Sequence, residues 1–159
     1  MGYFFNNFII YYKIFLPIPL NHIYLGAFNI SYEKFKEAVS DKECVVYDVK
    51  PFFKKGIHFK SCFDAMLANY VLNPEESYGF EWMINSILEI EIKEFKDEFG
   101  KAEEGRVEIA RMADFLCRRA VLLYNTKSVL EEKLEKEKLR EVYSDIELKL
   151  VTVLAGMEQ

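Results

Sequence analysis

The chain has 159 residues, 51% of them apolar, 16% aromatic and 30% charged, with a formal net charge of −5. That length and apolar content suit one domain with a substantial core. The acidic balance excludes bulk attraction for nucleic acid, so any contact with DNA needs a local basic patch. Cys44, Cys62 and Cys117 are odd in number and lack C-x-x-C spacing. This argues for buried free thiols in a reducing cytoplasm and against disulfides or a zinc site.

Lys13 is the single formal charge in residues 1–30. The opening MGYFFNNFIIYYKIFLPIPL is interrupted by Lys13, broken by Pro17 and Pro19, and followed by no small-residue cleavage site. It therefore reads as neither a signal sequence nor a membrane anchor. Its composition predicts buried strands over Phe8 to Tyr12, Ile14 to Leu16 and Ile23 to Phe28, with Asn21-His22 as the turn before the last.

From residue 31 the pattern turns helical, with Ser31 as N-cap and Phe35, Ala38 and Val39 on one face. Residues 43–47, ECVVY, read as a short buried strand, and 49–55 as a helix ended by Gly56. His58 to Phe63 are extended. Asp64 begins a helix with Met66, Leu67, Tyr70 and Val71 inward, stopped by Asn73-Pro74. Ser77 caps the next helix, which carries Trp82, Met83, Ile84 and Ile87. The mixed-charge stretch 89–105, with Gly100 and Gly105, reads as a surface excursion. Leu116, Ala120, Leu123, Leu130 and Leu134 keep helical spacing within a helix over 106–137. A second helix over 139–155 uses Val142, Ile146, Leu150, Val153 and Met157. The charged faces opposite both stripes read as solvated surface. Strands first, alternation in the middle and helices last predict an α/β fold, a mixed sheet with helices on its faces.

Two carboxylates stand at strand-to-helix junctions. Asp48 follows ECVVY and Asp64 follows the next extended segment, so both read as helix caps that hold first-turn N–H groups. His22 and His58 have no partners at ligand spacing and read as turn or surface residues. Lys50, Lys54, Lys55 and Lys60 form a modest basic cluster, a weak candidate for nucleic-acid binding beside the plainer reading of a solvated face. Arg118-Arg119 follow the same logic. No P-loop, dinucleotide-binding glycine pattern, Ser-His-Asp set or zinc spacing is present, and no small-molecule substrate is evident.

The stretch FDAMLANYVLNPEESY, residues 63–78, resembles the Phe-Asp-x-Met-Leu-x-x-Tyr-Leu-Leu-x-Pro pattern of the 3′–5′ exonuclease (proofreading) domain of bacterial family A DNA polymerase I. The closing EVYSDIELKLVTVLAGME, residues 141–158, resembles that family's helix leading into the polymerase thumb. The resemblance implies a single ribonuclease-H-like α/β domain over 1–159. Its mixed sheet would be flanked by helices, with a long C-terminal helical pair whose last segment, about 139–159, leads toward an absent polymerase domain.

Active members use three short motifs. Asp-x-Glu on the first strand is absent here, since no Asp precedes Asp41 and no Glu precedes Glu33. Asn-x-x-Tyr-Asp is matched by Tyr47 and Asp48, with Cys44 in the Asn position. Tyr-x-x-x-Asp is replaced by Met112 and Leu116, while Asp114 lies two residues away, about 200° around a helix. Two-metal phosphodiester hydrolysis needs several convergent carboxylates, and of those only Asp48 matches. The resemblance thus implies a member with a decayed site. It would hold no catalytic residues and no metal, and would be no enzyme by itself. Its partners would be the polymerase domain and DNA, it would have no membrane association, and it would be cytoplasmic. Two alternatives stay open: an active Mg²⁺- or Mn²⁺-dependent exonuclease with Asp48, Asp64 and Asp114 rearranged as ligands, and a non-enzymatic interaction module that exposes its aromatic N-terminal segment.

Overall fold

The computed structural model describes residues 8–10, 17–19, 30–75 and 79–158. The fold is mixed α/β and mostly helical. Among the described residues the strands form two separate two-stranded sheets rather than one mixed sheet.

The first sheet is antiparallel. Strand β1 (Phe8–Ile10) pairs with β2 (Pro17–Pro19) in the register Phe8↔Pro19 and Ile10↔Pro17. Prolines expected to break this stretch thus lie within a strand. A proline lacks an N–H for the ladder, and a two-stranded sheet, in which every strand is an edge, tolerates that. The strands expected over Ile14 to Leu16 and Ile23 to Phe28, Asn21-His22 and Ser77 lie outside the described residues.

Helix α1 (Tyr32–Ser40) begins as expected, with the Ser31 hydroxyl accepting the Lys34 N–H at 3.3 Å. Phe35 and Val39 are buried against Ile57 and the rings of Phe52 and Phe59. Ala38, expected on the same face, is exposed. Strand β3 (Glu43–Val46), helix α2 (Lys50–Lys54) and strand β4 (Ser61–Asp64) then form a short β-α-β unit. The two strands run parallel, in the register Glu43↔Ser61 through Val46↔Asp64. Gly56, at φ +67°, supplies the left-handed turn that ends α2. Of the segment His58 to Phe63, expected to be extended, residues 61–63 lie in β4 and 58–60 are irregular.

Helices α3 (Ala65–Leu72) and α4 (Phe80–Leu88) pack against the long helix α6 (Ile109–Lys136). Leu67, Ala68, Met83, Ile84, Leu123, Leu130 and Leu134 form the main core there, closed by Phe63 and Tyr143. On α3 the inward face is Ala65, Leu67, Ala68 and Asn69, while Tyr70, expected inward, is exposed. With Ala65, Ala68 and Asn69 inward, Tyr70 stands about 200° around the helix from Ala68, on the outer side. Gly79, not a serine, sits at the N-cap of α4 and offers no side-chain acceptor.

The stretch expected to be a surface excursion contains helix α5 (Phe95–Phe99) and a 3₁₀ turn at Glu104–Arg106. Phe95 and Phe99 pack edge-on against Phe115 of α6, with ring centroids 5.9 and 5.2 Å away. Two aromatics one turn apart thus fasten a charge-rich segment to the core.

Helix α6 ends in a Schellman turn, in which Leu139 N–H reaches Leu134 O at 2.8 Å and Lys138 N–H reaches Glu135 O at 3.1 Å. Lys138 holds φ +57°, a conformation that glycine adopts without strain. Lys138→Gly is therefore expected to stabilise the fold by about 0.5–1 kcal/mol, measured by urea unfolding. The last helix differs from the continuous α-helix expected over 139–155. A π-helical turn spans Val142–Glu147 before α7 (Leu148–Met157). Tyr143, Leu148, Val151 and Ala155 face the core, whereas Ile146, Leu150, Val153 and Met157 are exposed. Tyr143 and Leu148 are five residues apart, the span of a π-type hydrogen bond, and the Leu148 N–H donates to Tyr143 O. One extra residue turns the following helix by about 100° relative to a continuous α-helix.

Candidate functional site

The parallel register brings the ends of β3 and β4 to one edge, and there the two junction carboxylates meet. Asp64 is 1% exposed. Its Oδ1 accepts the Leu67 N–H at 2.9 Å, capping α3, and its Oδ2 accepts the Val49 N–H at 2.8 Å, holding the entry to α2. Asp48 Oδ1 accepts the Lys50 N–H at 3.0 Å. The circuit closes through backbone: Met66 N–H donates to Tyr47 O at 2.9 Å, and Asp64 N–H donates to Tyr143 Oη at 2.8 Å. Asp64 is the N-cap of α3, as its position predicted, whereas Asp48 stands one residue before Val49, the N-cap of α2, and bonds the first helical N–H from there.

Burial pushes the Asp64 carboxyl up to about 7, against the pull of the Leu67 and Val49 N–H groups and with a further push from nearby Asp48. Asp48 is also raised by burial, offset by the Lys50 N–H and ammonium. Tyr47 is a core residue, its ring edge-on to Phe80 at 5.4 Å. Cys44, in the Asn position of the motif, is buried directly across from Cys62. Both thiols are free, and burial raises both, Cys44 to about 11. Cys117 is half-buried on α6.

The structure does not bring Asp114 to this edge. It is exposed on α6 and paired with Arg118 Nε at 3.1 Å. Met112 and Leu116 are buried there, with Val107 and the rings of Phe95, Phe99 and Phe115 around them. Among the described residues no three His, Cys, Asp or Glu side chains are grouped to hold a metal ion.

Lys50, Lys54 and Lys55 of the basic cluster have partners. Glu158, beyond the end of α7, accepts from Lys50 Nζ through Oε1 at 2.5 Å and from Lys54 Nζ through Oε2 at 2.8 Å. The two ammonium groups hold its carboxyl down at about 2. Lys55 Nζ lies 5.3 Å from the Tyr32 ring centroid, and Lys60 is exposed. His58 is exposed and stacked on Phe53 at 5.4 Å.

Arg119 departs from the solvated reading given to Arg118-Arg119. It is buried, and its Nη2 donates to Glu81 Oε1 and to Lys93 O, each at 2.6 Å. Its guanidinium lies 4.2 Å from the Phe115 ring centroid and 5.1 Å from that of Phe80. A flat, weakly hydrated cation can be buried between rings in this way. Arg118 stays at the surface, paired with Glu98 and Asp114.

Sequence reasoning missed Tyr143 and Glu158 as parts of this edge. Both lie inside the EVYSDIELKLVTVLAGME segment that carries the resemblance, and that was the signal available. The class defined here is a mixed α/β domain whose parallel β-α-β unit presents, at one strand edge, two carboxylates that accept helix-entry N–H groups. No protein-family model matches the chain, and no curated protein or solved structure compared with it is significantly similar. Among the described residues no helix is long and apolar enough to cross a membrane.

Proposed function

We propose that the chain is a 3′–5′ exonuclease-like domain of the DNA polymerase I family in which the nuclease site has decayed. It is a ribonuclease-H-like domain that braces a polymerase domain and acts with it on DNA in the bacterial cytoplasm, with no catalytic activity of its own. The observation that carries this reading is the employment of Asp64: both oxygens are taken by helix N–H groups, at 2.9 and 2.8 Å, in a buried position. A carboxylate so held has little capacity left for a hard divalent cation, which takes several oxygens at once. Further support comes from α6, where Met112 and Leu116 occupy the positions of the family's Tyr and Asp and are spent on the apolar core.

A 5′-labelled single-stranded oligonucleotide incubated with the chain and Mg²⁺ or Mn²⁺ is expected to stay intact on a denaturing gel. Stepwise shortening from the 3′ end that disappears in Asp48→Ala would instead establish the active nuclease with rearranged ligands.

A further inference from the structure

We propose that Lys50 and Lys54 form a binding site for the phosphodiester backbone of a single-stranded nucleic acid, and that Glu158 occupies its anion position from within the chain. The two lysines lie one turn apart on α2, and a single carboxylate bridges them, one oxygen to each ammonium, at 2.5 and 2.8 Å. The two non-bridging oxygens of a phosphodiester present the same forked, singly charged acceptor. Residues 49–63 carry four lysines and no carboxylate, in a chain whose net charge is −5. The bridging carboxylate comes from more than a hundred positions away in sequence.

Aromatic rings interleave with these cations. Phe53 precedes Lys54 and stacks with exposed His58, and Lys55 lies over Tyr32. Of these rings His58 is the exposed one, a face on which a base can stack beside a phosphate held by the lysines. All three side chains of the bridge are partly exposed, with Glu158 at 45%, so an incoming phosphate reaches the lysines by displacing one side chain and opening no core. The site is built from α2 and from Glu158 just after α7, and it holds whether or not the chain descends from a nuclease.

The test is fluorescence anisotropy of a labelled oligothymidylate with the full chain over a range of salt concentrations. Glu158→Ala is expected to tighten binding about three- to tenfold, the range set by the strength of exposed ion pairs. It is also expected to steepen the plot of log affinity against log salt by about 1.4, two contacts at about 0.7 each. Glu158→Gln, which keeps the side-chain length, is expected to move both in the same direction. Glu132→Ala, an equal change in charge elsewhere on the surface, is expected to do neither. Adding Lys50→Gln and Lys54→Gln to Glu158→Ala is expected to abolish the gain. Binding by Glu158→Ala no tighter than by Glu132→Ala, or a gain that survives loss of both lysines, would overturn the proposal. Displacement of the oligonucleotide by low-millimolar inorganic phosphate would overturn it in favour of a free-anion site.

Discussion

Asp64→Ala is expected to lower the stability of the fold by about 2–4 kcal/mol, because it leaves the Val49 and Leu67 N–H groups without acceptors in a buried place. These donors belong to the entries of two different helices, so the loss loosens α2 and α3 together. Asp64→Asn is expected to cost about half as much, since an amide offers one acceptor oxygen but turns an NH₂ toward the other donor. Urea unfolding by circular dichroism measures both, and an alanine variant as stable as the native chain would refute this role for Asp64.

The same residue sets a pH dependence. Burial raises the folded carboxyl to about 7, well above its unfolded range near 4, so between these limits the folded state binds more protons than the unfolded one. The contribution is fully present below about pH 4 and is lost as pH rises toward 7. Glu158 acts oppositely. Held down at about 2 by Lys50 and Lys54, it contributes above its unfolded range and loses that contribution as pH falls toward 2. Unfolding free energy is therefore expected to peak near pH 4, where the two slopes cancel, and to decline toward neutrality by a few kcal/mol. The neutral-side decline should flatten in Asp64→Asn, and the same slope in that variant would assign it to other groups, such as Asp48, which is also raised by burial.

Tyr143→Ala is expected to cost about 3–5 kcal/mol, the range for removing a large buried ring. The ring is 6% exposed, packs against Phe63 at 5.4 Å and closes the main core from the C-terminal segment. Tyr143→Phe isolates the hydroxyl. It is expected to cost about 1–2 kcal/mol, because the Asp64 N–H loses its acceptor while the packing survives. Thermal unfolding of the two variants separates ring from hydroxyl, and a phenylalanine variant as destabilised as the alanine variant would show that packing is not the larger part.

Much of the arrangement was legible from residue order because its causes are local. Ser31 and Asp64 cap their helices through N–H groups three residues on, and Gly56 takes the left-handed turn that few other residues adopt. The stripe from Leu116 to Leu134 is buried because α6 keeps one period throughout. What escaped depends on distant partners or on a broken period. Arg119 is buried only because Phe80, Phe115 and Glu81 converge on it from other elements. Lys50 and Lys54 read as a bare basic face because the residue that neutralises them lies at the far end of the chain. Phe95 and Phe99 are anchored by Phe115, which no local pattern around them announces. The inward face of α7 was misassigned because an α period was carried through Val142–Glu147, where the backbone follows another.

That π turn makes chain length, not residue chemistry, the quantity that orients the last helix. Side-chain substitutions between 142 and 147 that keep the turn leave the phase of α7 unchanged. Losing a single position there restores the ordinary pitch and rotates everything beyond it by about 100°. Tyr143 lies at the start of this phase shifter and Glu158 well beyond it. The segment can therefore satisfy its contact at β4 and its contact at α2 simultaneously only with the present number of residues between them. An insertion or deletion there acts as a switch between two faces of one helix, whereas the same event in the loop around residue 90 merely lengthens or shortens a connection.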